Sequence, residues 1–435
     1  MARETEDLEQ KFALTINWPA APVSGGVALL DASLGKMKMC VGNKIATAFR
    51  SDKGDTGTSV ELPLYDMVEW ITANWWPLLY EPAKGDTPEN YDFRSRHWLG
   101  AARKGMALPS VWFSPTGDEI EVSCQPTYLR FSRLTFTEGE EVSIGRADLR
   151  NHLDTFVQGV LDHLCSFGLV DTLAHRYWKL INDTRPETEL YCRLLGSMGL
   201  SPYSTNDRIS KWLDEAADRA MPESVLIDIC EAADASSIEG ALLSGSRILS
   251  SLEKTQASTL SVLSTIPVPN DSPTAQSWRW GVDCSKRVQA ALGISPFDAA
   301  GSSKFFDAVG IHVSKPDGNE GTDQISAAMR REDLELRVAL TSQSIAQQRF
   351  AAVRAAFMGW TGPASSTRLI TAAKTRKQQA SRAFAAQLLA PIEFIRARSL
   401  NQNLNMSRVT ELAEKLNVSP SVVKYQATNN QISIS

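Results

Sequence analysis

Histidine, cysteine and clustered carboxylates are the side chains that could bind a metal or carry catalysis, and this sequence spaces them poorly for either task. Its five histidines are His97, His152, His163, His175 and His312, and none has a second histidine three or four residues away, the spacing that sets two imidazoles on one helix face. His163, Cys165 and His175 come nearest to a ligand set, but on a helix residues 163 and 165 point about 200° apart, so ordinary helix packing is expected there. The six cysteines, Cys40, Cys124, Cys165, Cys192, Cys230 and Cys284, include no Cys-x-x-Cys pair and are expected as free, buried thiols. Glu138, Glu140 and Glu141 around Gly139 imitate an acid/base group, yet a solvated hairpin turn accounts for them. Tyr91-Asp-Phe-Arg-Ser-Arg-His-Trp98, followed by Arg103 and Lys104, interleaves aromatic and basic side chains as a single-strand-binding surface would. A buried Trp98 at the start of a helix is the expected reading, because that half of the chain is acidic. Phosphate-binding, dinucleotide-binding and nucleophile-elbow signatures are missing, which disfavours nucleotide hydrolysis.

Charge is distributed unevenly. The net charge is -5, but residues 1–275 carry 25 basic and 38 acidic side chains while residues 276–435 carry 20 and 12. Arg368, Lys374, Arg376, Lys377 and Arg382 fall within fifteen residues that contain no carboxylate, and Arg396, Arg398 and Arg408 follow. Such a stretch suits an acidic partner, either protein or nucleic acid. Near the end, Leu412, Ala413, Leu416, Val418, Val422 and Val423 mark the buried side of a helix-turn-helix that either places Ser421, Lys424 and Gln426 near a DNA groove or only packs on its own domain.

These residues need elements to position them. Period-two runs at Phe12–Trp18, Glu119–Cys124 and Tyr128–Phe136 predict strands, and Leu64, Met67, Val68, Ile71, Trp75 and Leu78 predict a helix between them. Residues 1–145 therefore read as an α+β domain of unknown role. From Arg146 the spacing changes to 3.6, with Leu149, Leu153, Phe156, Val160, Leu161 and Leu164 on one face, and residues 146–252 read as a helical domain. Segment 253–275 is rich in Ser, Thr and Pro and reads as a linker. Residues 276–435 form a last domain, with a helix over Ser344–Trp360 and another over Gln378–Ala390 that ends at Pro391.

At those two helices the sequence resembles the ImmA/IrrE family of zinc metallopeptidase-like proteins. Val288-Gln-Ala-Ala-Leu-Gly-Ile294 and Phe305 to Val313 are similar to the family's leading helices. Arg349-Phe-Ala-Ala-Val-Arg-Ala-Ala-Phe-Met-Gly is similar to its Arg-Phe-x-x-Ala-His-Glu-x-x-His helix. Phe384-Ala-Ala-Gln-Leu-Leu-Ala-Pro391 and Leu412-Ala-Glu-Lys-Leu-Asn-Val-Ser419 are similar to its closing segments. The resemblance runs from Trp280 to Gln431, roughly a third of the chain. It implies a mainly helical, metallopeptidase-like C-terminal domain in which the zinc-binding and base positions are occupied by Arg354, Ala355, Met358 and, at the position similar to the third ligand, Gln378. Arginine cannot ligate, alanine offers no base and a thioether suits zinc poorly.

The whole reads as α+β: a mixed front, a helical middle and a degenerate peptidase-like end, with no catalytic residues, metal or cofactor expected. The opening residues do not resemble a secretion signal and no apolar run is long enough for a membrane span, so a cytoplasmic location is expected. The resemblance implies a regulatory or scaffold protein of bacterial stress response, mobile-element control or phage defence that binds a partner protein. The alternative is nucleic-acid binding through Arg368, Lys374, Arg376, Lys377, Arg382, Arg396 and Arg398.

Overall fold

In a computed structural model the structure describes residues 11–19, 28–84, 91–204, 207–271, 276–311, 324–341, 344–399 and 404–435. His312 and Val313, and residues 272–275 of the expected linker, lie outside the described residues. The chain is α+β and divides into two compact units, Met1–Thr205 and Asn206–Ser435.

In the first unit the alternating runs Phe12–Trp18 and Glu119–Cys124 each supply a strand, whereas Tyr128–Phe136 is not one strand but falls in two, Thr127–Leu129 and Leu134–Phe136, paired as a hairpin. β1 (Phe12–Asn17), α1 (Ala28–Ala32), β2 (Leu34–Val41), β3 (Lys44–Ile45), β4 (Phe49–Ser51), β5 (Thr56–Gly57) and β6 (Val60–Pro63) lead into α2 (Tyr65–Ala73), α3 (Trp75–Tyr80) and α4 (Tyr91–His97). They are followed by β7 (Ser110–Pro115), β8 (Glu119–Gln125), β9 (Thr127–Leu129), β10 (Leu134–Phe136) and β11 (Glu140–Gly145). Three small antiparallel sheets result, β1-β2-β3 with β6 beside β2, β5-β4-β10-β9, and β11-β8-β7. The long helix α5 (Arg146–Ser166) buries Leu149, Leu153, Phe156, Val157, Val160, Leu161 and Leu164 in the core that contains Phe12, Met39 and Trp75. This is the stripe that the 3.6 spacing predicted. α6 (Leu173–Asn182) starts at Thr172, whose side chain accepts the His175 backbone N–H, and α7 (Pro186–Ser197) starts with proline in its first turn.

The second unit begins with helices that the sequence reading grouped with α5. They are α8 (Asp207–Asp218), α9 (Glu223–Ala232) and α10 (Ile238–Leu252). After β12 (Ser258–Thr259) and α11 (Ser261–Ser264) come α12 (Ser277–Ala291), α13 (Ser303–Val309), β13 (Ile325–Glu332), β14 (Glu335–Leu340), α14 (Ile345–Thr361), β15 (Ser365–Thr371), α15 (Arg376–Leu389), α16 (Ile392–Ser399), α17 (Met406–Leu416) and α18 (Pro420–Asn429). An antiparallel sheet in the order β12-β14-β13-β15 lies at its centre. Helices cover both faces of that sheet. Ala327, Met329 and Ile370 belong to the core formed with α14, whereas Leu369, the neighbour of Ile370, faces Gly245 on α10. A strand buried on both faces has no alternating apolar pattern, so the sequence reading did not predict β13 or β15.

Two boundaries differ from those expected. The helices of residues 146–252 are divided between the units, because α9 and α10 supply one cover of the central sheet. The Ser/Thr/Pro-rich segment is built into the second unit. Leu260, Leu263 and Ile266 are buried in its core, β12 pairs with β14, and Trp280 Nε1 donates to the Pro269 carbonyl at 2.9 Å. Composition suggested a spacer, but three apolar side chains at three-residue spacing suffice to anchor it. α12 and α15 meet through Gly281, where a Cβ would clash with the Ala380 carbonyl.

Candidate functional site

The positions implied by the resemblance converge in the second unit. α14 carries Arg354, Ala355 and Met358, all buried, and α15 presents Gln378 opposite Arg354. Arg354 is only 5% exposed and Gln378 is fully buried. The guanidinium donates from Nη2 to Gln378 Oε1 at 2.7 Å and to the Thr371 carbonyl at 2.8 Å, and from Nε to Ser381 Oγ at 3.0 Å. Ser381 Oγ passes its own hydrogen to the Gln378 carbonyl at 2.8 Å. Gln378 is bonded at both ends of its amide: Oε1 also accepts Thr371 N–H at 3.2 Å, and Nε2 donates to the Leu369 carbonyl at 2.7 Å. The amide thus ties α15 to the end of β15. A carboxylate there would lack the donor that Leu369 requires.

Among the described residues, Arg354 bonds only to neutral acceptors. Burial, and next the positive charge of Arg382, pull its proton affinity well below the ordinary guanidinium value. Arg382 also points at this place, donating to the carbonyls of Thr371 at 3.4 Å and Ala373 at 2.9 Å. The donor set does not fit zinc. A fixed cation fills the position of one expected ligand, Ala355 has no polar atom and Met358 is packed in the apolar core. No group of three or more His, Cys, Asp or Glu able to hold a metal occurs among the described residues.

The basic residues do not form one open surface. Arg368 makes a bidentate pair with Asp228 of α9, Nε to Oδ2 at 2.8 Å and Nη2 to Oδ1 at 2.6 Å, and buried Asp228 also accepts Leu369 N–H at 2.8 Å. Arg376 is buried and pairs with Asp271. Both carboxylates come from the stretch before residue 276, which is why a search for neighbours in sequence missed them. Residues 206–435 as a whole hold 25 basic and 23 acidic side chains, so the basic surplus of the chain's end is almost balanced within its own unit. Arg398 lies over the Phe394 ring at 3.4 Å. Lys377 and Arg396 are exposed and Lys374 is half-buried. In the last helix pair Ser421 and Lys424 are exposed, but Gln426 is buried and donates to the Ala390 carbonyl at 3.0 Å. Of the two readings of this helix pair, Gln426 fits the one in which it packs on the domain, since its amide fastens α18 to the end of α15.

In the first unit, Trp98 is half-buried rather than buried, with Arg94 and Arg103 over its ring at 4.2 and 4.9 Å. Its neighbour His97 is fully buried between two acceptors, the Phe113 carbonyl at 2.8 Å and Glu81 Oε2 at 3.0 Å. Arg96 grips the same carboxylate with two bonds of 2.7 Å. Burial alone would raise Glu81, but the hydrogen bonds and charges of His97 and Arg96 outweigh it and hold the carboxyl at about 2. Glu81 lies fifteen residues from Arg96 and sixteen from His97, and no local motif marks it. Glu138 pairs with Lys44 at 3.1 Å, at the turn before β11. His163 stacks on Trp18 at 3.6 Å, while Cys165 and His175 meet at 3.4 Å. Five of the six cysteines are buried as expected, but Cys165 is exposed.

No described helix is long and apolar enough to cross a membrane. Comparison of the chain with protein-family models, with curated proteins and with solved structures found no match.

Proposed function

We propose that this protein is a non-catalytic scaffold or regulator whose second unit is a degenerate ImmA/IrrE-like domain that binds a partner protein. The observation that carries the reading is the bond between Arg354 and Gln378 at 2.7 Å. These are two of the positions at which the resemblance expects zinc ligands, they lie on separate helices, and they face each other. A buried guanidinium bonded to an amide and a backbone carbonyl provides rigidity but no Lewis acid and no base. Bacterial stress response, mobile-element control and phage defence remain the settings that the resemblance implies, and a cytoplasmic location goes with them.

A protein partner is favoured over nucleic acid because Arg368 and Arg376 are already neutralised by Asp228 and Asp271 and Gln426 is buried. Phosphate contacts dominate nucleic-acid affinity, and only cations free to reach the backbone supply them. The test is fluorescence anisotropy of the full-length chain with labelled duplex DNA and single-stranded RNA over a range of salt concentrations. Weak binding that disappears at physiological salt is expected. Submicromolar binding there, abolished by Lys377→Glu with Arg396→Glu, would establish the nucleic-acid alternative instead.

A further inference from the structure

The exposed thiol of Cys165 has a base within reach. Cys165 is near the end of α5, and His175 is in the first turn of α6, with its Nε2 3.4 Å from Cys165 Sγ. The other ring nitrogen, Nδ1, is 2.8 Å from Thr172 Oγ1, the hydroxyl that also caps α6. A nucleophile, a base beside it and a third group that orients the base is the arrangement that activates thiols. The turn between the helices adds an apolar rim, since Phe167, Val170 and Leu173 are all exposed.

We propose that Cys165 is a modification site that exchanges with small, uncharged disulfides, with His175 as its base and Thr172 as the positioning residue. When Nδ1–H donates to Thr172 Oγ1, the Nε2 lone pair faces the thiol. The S–H proton passes to Nε2 as Cys165 Sγ attacks one sulfur of the disulfide. A Cys165–S–S–R bond forms, the original S–S bond breaks, and the departing thiolate takes the proton from Nε2. The incoming disulfide is the oxidant, and one of its halves leaves as the reduced thiol. The surroundings suit this role. Burial lowers the proton affinity of His175, and the Leu161 carbonyl, Asp171 and Asp162 oppose that only in part, which favours the neutral imidazole. Asp171 is itself held by two bonds of 2.8 Å from Arg176. Asp162, on α5, bonds to Gln158 at 2.7 Å. The remaining cysteines are buried, and burial pushes the thiols of Cys124, Cys192 and Cys284 up, the last to about 12. They cannot compete for an electrophile in solution.

The experiment is reaction of the native, full-length chain with dithiodipyridine, followed by release of thiopyridone. One thiol per chain should react in a fast phase, and the other five only after unfolding. Cys165→Ser should remove the fast phase. His175→Asn should slow it roughly tenfold at pH 7, with the two rates converging above pH about 9, where a thiol ionises unaided. The unmodified chain supplies a test that does not depend on any variant folding. An unassisted thiol reacts about tenfold faster per pH unit below its pKa, whereas a thiol served by a neutral imidazole has a nearly flat profile from about pH 6.5. A tenfold rise per unit through neutrality, a fast phase that survives Cys165→Ser, or a folded His175→Asn protein with an unchanged rate at pH 7 would each overturn the proposal.

Discussion

Arg354 is a buried cation whose acceptors among the described residues are all neutral, which makes the consequence of replacing it specific. Arg354→Ala removes the donor from the Thr371 carbonyl, Gln378 Oε1 and Ser381 Oγ and leaves a void, so it should cost about 3 kcal/mol. Arg354→Met loses the same bonds, but it fills the volume and relieves the charge of desolvation, so its cost should be about 1 kcal/mol. Urea denaturation of both variants checks the order, and equal midpoints would mean that the guanidinium is not packed as described. In the first unit Glu81 predicts an acid transition. Its carboxyl titrates at about 2 in the folded chain against an ordinary 4.5, so the stabilisation is fully present above pH 4.5 and is lost as pH falls toward 2. Its size is about 3 kcal/mol. Glu81→Gln should flatten the stability profile across that window when thermal unfolding is followed between pH 6 and 2, and an unchanged profile would remove Glu81 as the cause.

At the scale of elements, the segment with the least promising composition makes the sharpest prediction. Leu263 is fully buried in the second core, and the Thr255 carbonyl accepts from Arg337 Nη1 at 2.7 Å. Limited proteolysis should therefore not cut first within residues 255–270, and Leu263→Ala should cost about 2–4 kcal/mol and expose those sites. Cleavage there in the unmodified chain, ahead of every other site, would restore the linker reading. How much the sequence disclosed follows the same physics. The stripe of α5 and the alternation of β1 and β8 were legible because one face of each is buried and the other is not, whereas the alternation of Tyr128–Phe136 concealed the turn between β9 and β10. β13 and β15 were not legible, since a sheet covered by α14 on one side and by α9 and α10 on the other carries no alternation. Arg354 and Gln378 were singled out only by the resemblance to the ImmA/IrrE family. Their partners Thr371 and Ser381 were not singled out, and neither were Asp228 and Asp271, because tertiary contacts of this kind leave no periodic trace in sequence.

At the scale of the whole molecule, two of the positions that the resemblance matches to zinc ligands hold a packed Arg354–Gln378 bridge. Asn206–Ser435 is a compact unit in which β12 joins the sheet and α9 and α10 pack on it, so the unit that contains the bridge extends well beyond the stretch of resemblance. The most direct measurement is elemental analysis of the full-length chain after exposure to excess zinc and removal of loosely bound ions. Far less than one equivalent is expected, because a guanidinium fills the site and no group of three or more His, Cys, Asp or Glu able to hold a metal occurs among the described residues. About one zinc per chain, lost in a folded Gln378→Ala or Met358→Ala variant, would contradict it.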